Sequence, residues 1–125
     1  IPISPFLHEG IGDYVIYYHN FYKFWPVLPE PEKIVQTFLA EPSYIPLERL
    51  IKEDRAFSLK YHKEYSLEAA TFLNYILQNY GTPHLKKWFL SGKAEAIKTF
   101  EKNYGTSIKE MEKRWLAFLK EKSEF

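Results

Sequence analysis

The chain has 125 residues, of which 46% are hydrophobic and 26% charged, and a formal net charge of +1. This is the balance of an ordinary folded protein, and we expect residues 1–125 to form one helical domain. Basic residues alternate with acidic ones, which argues against nucleic acid as a partner, and the lack of cysteine excludes disulfides and thiolate metal sites.

The first half of the chain predicts helices separated by proline-rich breaks. Apolar spacing predicts a helix from Pro5 to about Tyr22, opened by a proline that the first helical turn tolerates. The prolines of FWPVLPEP (24–31) indicate an ordered connector rather than a flexible linker. A short helix over 32–40 follows, and then one or two helical turns within PLERLIKED (46–54). The inward-facing residues of these turns are Leu47, Leu50 and Ile51.

The second half predicts four more helices. The segment 65–80 carries one broad apolar stripe and ends at Gly81. The stripe consists of Ala69, Phe72, Leu73, Ile76, Leu77 and Tyr80. A short helix follows from Pro83 to about Leu90. Gly105 ends the next helix, where glycine can take the left-handed conformation that suits a helix end. The stripe of that helix consists of Ala94, Ile97, Phe100 and Tyr104. A capping box, Ser107 to Glu110, opens the last helix, whose apolar face consists of Ile108, Met111, Trp115, Phe118 and Leu119.

These patterns predict an all-α fold of about six or seven helices in one compact domain. No stretch shows convincing strict alternation of apolar and polar residues, and the turns lack the Asn-Gly or Asp-Gly signature of hairpins. No apolar run approaches the roughly 18 residues of a membrane-spanning helix. The chain begins with Ile1 rather than methionine, and we expect it to be part of a longer protein. The compartment stays undecided.

The stretch FLHEGIGDY (6–14) holds the strongest candidate for chemistry. It begins like the zinc motif H-E-x-x-H, but Gly12 stands where the second histidine belongs, so the chain contains no complete metal site of that kind. Glu9 and Asp13 are four residues apart and thus face the same way on a helix. In a metal site the first carboxylate could be a ligand, and the second could hold the ring N–H of a ligand histidine. Carboxylates near a helix start also occur for structural reasons, because they complement the helix dipole.

PFLHEGIGDYV (5–15) resembles the third-ligand helix of the gluzincin zinc metallopeptidases, the peptidase MA-like group with thermolysin- and aminopeptidase-type members. The pattern of that helix is roughly Asn/Ser/His-Glu-Gly/Ala-x-x-Asp/Glu-Tyr. EYSLEAATFLNYIL (64–77) resembles the later helix that carries a catalytic tyrosine in aminopeptidase-type members. The C-terminal helices, with their Tyr-Gly ends and a Glu-x-x-Trp in the last helix, resemble small peptidase MA-like proteins. The chain departs from the family in lacking the H-E-x-x-H helix.

The resemblance implies a role for four residues. Glu9 would be the third zinc ligand, completed by a histidine pair from an upstream H-E-x-x-H segment, and Asp13 would orient a ligand histidine. Tyr65 would stabilise the oxyanion formed during hydrolysis of a peptide or protein substrate, and we expect its side chain within about 10 Å of Glu9. His8 is a further candidate on the substrate side. Zinc would belong to the full-length protein, and we expect this chain alone to bind none and to be inactive.

Two other interpretations stay open. The chain could be a non-catalytic helical module that binds a peptide or protein through an aromatic groove formed by Trp25, Tyr44 and Trp88. That hypothesis requires these three side chains to be exposed. The chain could also be a domain that has lost its catalytic helix and persists as a scaffold.

Overall fold

The computed structural model describes residues 5–18, 44–52, 60–92 and 94–123. These residues form α-helices and no strand, which confirms the predicted all-α class. The helices, in chain order, are α1 Pro5–Tyr18, α2 Leu47–Lys52, α3 His62–Tyr80, α4 Thr82–Leu90, α5 Ala96–Tyr104 and α6 Ile108–Ser123.

The helix predictions of the first half are confirmed where the structure describes the chain. α1 begins at Pro5, as the proline rule predicts, and is described as far as Tyr18. The predicted helix end at Tyr22, the connector 24–31 and the helix 32–40 lie outside the described residues. α2 buries the residues that its apolar spacing selects: Leu47, Leu50 and Ile51.

α3 is the central helix of the described core. It contacts α1, α4 and α6, and every residue from Tyr65 to Ile76 is buried. The sequence predicted that one face of this helix is buried. The structure instead buries residues 65–76 on every face, because other parts of the chain pack around them. The burial includes four polar side chains: Ser66, Glu68, Thr71 and Asn74. Thr71 satisfies its hydroxyl locally by donating to the carbonyl of Leu67 at 2.8 Å.

Two glycines end helices as predicted. Gly81 follows α3 with a φ of 84°, and its N–H donates to the carbonyl of Leu77 at 3.0 Å. Gly105 follows α5 with a φ of 69°, and its N–H donates to the carbonyl of Glu101 at 2.9 Å. Glycine suits both places, because a positive φ costs it no steric strain.

The start of α5 differs from its predicted apolar stripe. Ala94 is exposed, whereas Ala96 is buried. The reason is the turn at Glu95, whose φ of 58° places it in the left-handed region just before the helix begins. This turn rotates Ala96 towards the core in place of Ala94.

Two side chains cap the start of α6. The Ser107 hydroxyl accepts the N–H of Glu110 at 3.1 Å, which is one half of the predicted capping box. The N–H of Ile108 donates to the carboxylate of Glu101 at 2.9 Å. The carboxylate of Glu110 instead accepts from Arg114 at 3.3 Å. The end of α5 therefore helps to cap the start of α6.

Aromatic rings fill the centre of the core. Trp88 and Trp115 are buried, and Phe72 lies between Phe100 and Trp115, with ring centroids 6.1 and 5.6 Å away. Much of the 18% aromatic content therefore belongs to packing rather than to a surface platform. Among the described helices none is both long and apolar enough to cross a membrane.

Candidate functional site

The helix that carries Glu9 and Asp13 packs directly on α3. Gly10 lies at the contact: a Cβ atom at this position would be 2.7 Å from Leu73 Cδ1 and 3.2 Å from Ala69 Cβ. The first distance is shorter than real Cβ contacts and the second is tight, so the two helices approach closely over a residue that has no side chain. The glycine beside Glu9 thus permits the close packing of α1 against α3.

The two helices run in the same direction. Near the start of α1 the ring of Phe6 meets the ring of Tyr65, with centroids 6.3 Å apart in an edge-on arrangement. One turn later Gly10 faces Ala69. The first buried turn of α3, residues 65–69, therefore lies beside the turn of α1 from Phe6 to Gly10. Glu9 belongs to that turn of α1. The two segments that resemble gluzincin motifs are neighbours in space.

Three of the predicted site residues are placed by their backbone alone. His8, Glu9 and Asp13 belong to α1, but their side chains lie outside the part of the chain that the structure describes. The predicted distance of about 10 Å between Tyr65 and Glu9 therefore stays a prediction.

Tyr65 is described in full and is a core residue. It is 1% exposed, and its hydroxyl oxygen has essentially no contact with solvent. The ring packs on Phe6, which in turn contacts Phe72 and Trp88 with centroids 6.2 and 5.9 Å away. Tyr65 could donate to a substrate oxygen only if some of the side chains that pack over it, such as Phe6, moved.

The described residues do not hold a metal site by themselves. Among the side chains that the structure describes, which do not include those of His8, Glu9 and Asp13, no group of three or more His, Asp or Glu is arranged to bind an ion. A catalytic zinc needs three protein ligands. A zinc site that uses Glu9 therefore stays a prediction.

A second pair of carboxylates, which the sequence analysis missed, holds the chain at the start of α2. Glu68 accepts the backbone N–H of Ile45 at 2.9 Å. Glu112 accepts the backbone N–H of Leu47 at 2.7 Å and the hydroxyl of Tyr44 at 2.5 Å. The sequence did carry one signal: Glu68 interrupts the apolar run of α3, and a carboxylate buried in a helix needs a hydrogen-bond donor.

The environment of Tyr44 favours its protonated form. Burial raises the pKa of its hydroxyl, and the hydrogen bond to Glu112 raises it further. The negative charges of Glu112 and Glu68 act in the same direction. Tyr44 is thus a neutral donor that ties the start of α2 to α6.

The aromatic groove of the alternative interpretation is not formed as predicted. Trp88 is 1% exposed, and its indole N–H donates to the carbonyl of Ala96 at 3.0 Å. Tyr44 is partly buried and bonded to Glu112, while Trp25 lies outside the described residues. Trp88 therefore lacks the exposure that the hypothesis requires, and the hypothesis loses one of its three residues.

An apolar groove does run between α1, α3 and α4, at a different place. Its volume is about 520 Å³. It is lined mainly by Ile11, Tyr14, Val15, Leu73, Leu77 and Leu85. Val15 is 37% exposed there.

Comparisons with models of protein families, with curated proteins and with solved structures gave no match to this chain.

Proposed function

We propose that this chain is the C-terminal helical part of a gluzincin-like zinc metallopeptidase that hydrolyses peptide bonds. In this proposal Glu9 is the third zinc ligand and Asp13 orients a ligand histidine. Tyr65 donates to the oxyanion of the tetrahedral intermediate. An upstream H-E-x-x-H segment supplies two histidines and the general base, so the chain has no activity by itself.

The observation that carries the proposal is the packing of α1 on α3. The two motifs are more than 50 residues apart in the chain, yet they occupy adjacent helices, with Phe6 against Tyr65 and Gly10 against Ala69. A metallopeptidase needs its ligand carboxylate and its oxyanion donor on the same side of the substrate carbonyl. Neighbouring helices that run in the same direction can meet this requirement.

Each residue has a defined task in this site. The Glu9 carboxylate, an oxygen ligand that zinc accepts, supplies negative charge that partly neutralises the ion. Asp13, one turn further along α1, accepts the ring N–H of a ligand histidine and fixes its tautomer. A phenol such as Tyr65 is neutral near pH 7, so it can donate to a developing negative charge without first losing a proton.

The zinc ion would polarise the peptide carbonyl and its attacking water. The side chains that the structure describes include no group of three ligands, and the sequence supplies only the carboxylate part of such a site. One glutamate in a Glu-Gly-x-x-Asp arrangement suits the carboxylate position of a His-His-Glu set. The proposal therefore depends on histidines supplied by another part of the protein.

The test begins with the coding sequence upstream of Ile1. The proposal requires an H-E-x-x-H motif on a helical pattern there, and an upstream sequence without this motif would contradict it. In that case the chain is better explained as a binding module or as a scaffold that has lost its catalytic helix.

Zinc content of the full-length protein is the second measurement. Asp13→Asn should weaken zinc binding by about 10- to 100-fold, the usual effect of removing a group that orients a ligand, and Glu9→Gln should weaken it more. Glu48→Gln is the matched control, because Glu48 lies on α2 and its carboxylate accepts from Lys52 on the surface. Equal zinc content in the Glu9 and Glu48 variants would exclude Glu9 as a ligand.

A further inference from the structure

A small cavity lies between α4 and α5, on the side of the molecule formed by the C-terminal helices. Its volume is about 240 Å³. It is lined by Lys87, Trp88, Ser91, Thr99, Lys102 and Asn103. Two lysines, a serine, a threonine and an asparagine thus border a cavity that has no acidic residue among its described lining residues.

The two lysines reach the cavity from different helices, Lys87 from α4 and Lys102 from α5. Neither lysine has a carboxylate within 4.0 Å in the part of the chain that the structure describes. The acidic residues of this region have other partners, since Glu95 pairs with Lys98 at 4.0 Å and Glu101 accepts the N–H of Ile108. The positive charge at the cavity is therefore not neutralised locally.

The walls of the cavity are held in place by side chain to backbone hydrogen bonds. The Asn103 amide donates to the carbonyl of His84 at 2.6 Å, which ties α5 to the first turn of α4. Trp88 donates to the carbonyl of Ala96 at 3.0 Å, and Ser91 donates to the carbonyl of Trp88 at 2.6 Å. A site whose walls are already fixed loses little conformational entropy when a ligand enters.

We propose that this cavity binds a small phosphate-like dianion, such as inorganic phosphate or the phosphate group of a small molecule. Lys87 and Lys102 donate to its oxygens from opposite walls, and charge-assisted hydrogen bonds of this kind are the strong ones. The hydroxyls of Ser91 and Thr99 donate to the carbonyls of Trp88 and Ala96, so the two lysines provide the main contacts to the ligand. This inference does not depend on Glu9 or on zinc, so the two proposals can fail separately.

A structural role of the lysines is the competing explanation. Each lies in the last turn of its helix, where a positive charge complements the helix dipole. That role predicts a small loss of stability when the charge is removed, and it predicts no dependence on phosphate. Binding and stability must therefore be measured separately.

The experiment is a titration of the chain with inorganic phosphate at constant ionic strength, followed through the backbone amide signals of Ser91, Thr99 and Asn103. We expect saturable shifts. Lys87→Met and Lys102→Met should each weaken binding about tenfold, which corresponds to about 1.4 kcal/mol. Lys86→Met is the matched control, because this exposed neighbour on α4 does not line the cavity, and its affinity should be unchanged.

Three outcomes would overturn the proposal. Shifts that rise linearly without saturation would indicate nonspecific screening. Equal weakening in the Lys86 and Lys87 variants would show that net charge rather than the cavity is responsible. Acetate binding as tightly as phosphate would contradict a site built for a dianion.

Both lysines are exposed, so the variants should fold. Thermal unfolding followed by circular dichroism checks this.

Discussion

Gly10 of α1 lies so close to Leu73 of α3 that a single added carbon would come within 2.7 Å of the leucine side chain. The same carbon would be 3.2 Å from Ala69 Cβ. The leucine can rotate, but the alanine carbon is fixed to the backbone. The distance between α1 and α3, and with it the place of the proposed zinc ligand Glu9, therefore depends on a glycine.

Gly10→Ala should destabilise the protein. Overpacking of this kind costs about 1–3 kcal/mol, and the better helix propensity of alanine offsets about 1 kcal/mol of this, so we expect a net loss of up to about 2 kcal/mol in the free energy of unfolding. Gly12→Ala is the matched control, because a Cβ there meets nothing within 4 Å, and it should stabilise α1 by up to about 1 kcal/mol. Urea unfolding measures both. Equal effects of the two substitutions would contradict the close contact.

Tyr44 and Glu112 should be energetically coupled. Hydrogen bonds to charged groups contribute about 1.5–3 kcal/mol when they are protected, and this one is partly buried, so we expect a coupling of about 1–2 kcal/mol. A double-mutant cycle with Tyr44→Phe and Glu112→Gln measures it by urea unfolding. Glu110→Gln in place of Glu112→Gln is the control, since Glu110 instead accepts from Arg114. A glutamine amide oxygen can still accept this hydrogen bond, so additive effects of Tyr44→Phe and Glu112→Gln would mean that the charge of Glu112 does not strengthen it.

Tyr104→Phe should leave stability unchanged or raise it by about 1 kcal/mol, the opposite of Tyr44→Phe. The hydroxyl of Tyr104 is buried without a hydrogen-bond partner in the described part of the chain, so its desolvation is not compensated. The ring itself packs on Phe100, with centroids 4.5 Å apart, and phenylalanine keeps this contact. A loss above about 1 kcal/mol in urea unfolding would show that the hydroxyl has a partner such as a bound water.

Stability should fall at alkaline pH. Burial raises the pKa of Tyr104 and of Tyr44 above the ordinary tyrosine value of 10.0. Above pH 10 the unfolded chain loses these protons while the folded protein keeps them, so the stabilisation present below pH 10 is lost as the pH rises towards the folded pKa. Urea unfolding from pH 8 to 11 should show this decline. The slope above pH 10 should be shallower in Tyr44→Phe and in Tyr104→Phe, and an unchanged slope in both would contradict the assignment.

Tyr65→Phe in the full-length protein tests the oxyanion role. Loss of one such donor typically lowers kcat by about 100- to 1,000-fold, and zinc content should not change. Tyr75→Phe is the matched control, because Tyr75 is also a buried tyrosine of α3 but packs on Phe118, with centroids 5.1 Å apart. Equal activity of the two variants would exclude Tyr65 as the donor and leave it as a core residue.

The sequence by itself determined the features that depend on near neighbours in the chain. Gly81 and Gly105 end helices because only glycine takes a positive φ without strain. Ser107 opens α6 because its hydroxyl reaches an N–H three residues later. The apolar spacing of α2 and α6 identified their buried residues, because a helix repeats every 3.6 residues and this repeat is visible in the sequence. The all-α class follows from these local rules.

Only the tertiary structure decided what depends on contacts between distant parts of the chain. Glu112 binds Tyr44 across 68 residues and Leu47 across 65, and no local pattern specifies such a pairing. Residues 65–76 of α3 are buried on every face because other parts of the chain pack around them, and this burial places Tyr65 inside the core rather than at an open surface. Helical periodicity states which residues share a face, but what covers that face depends on how the helices pack.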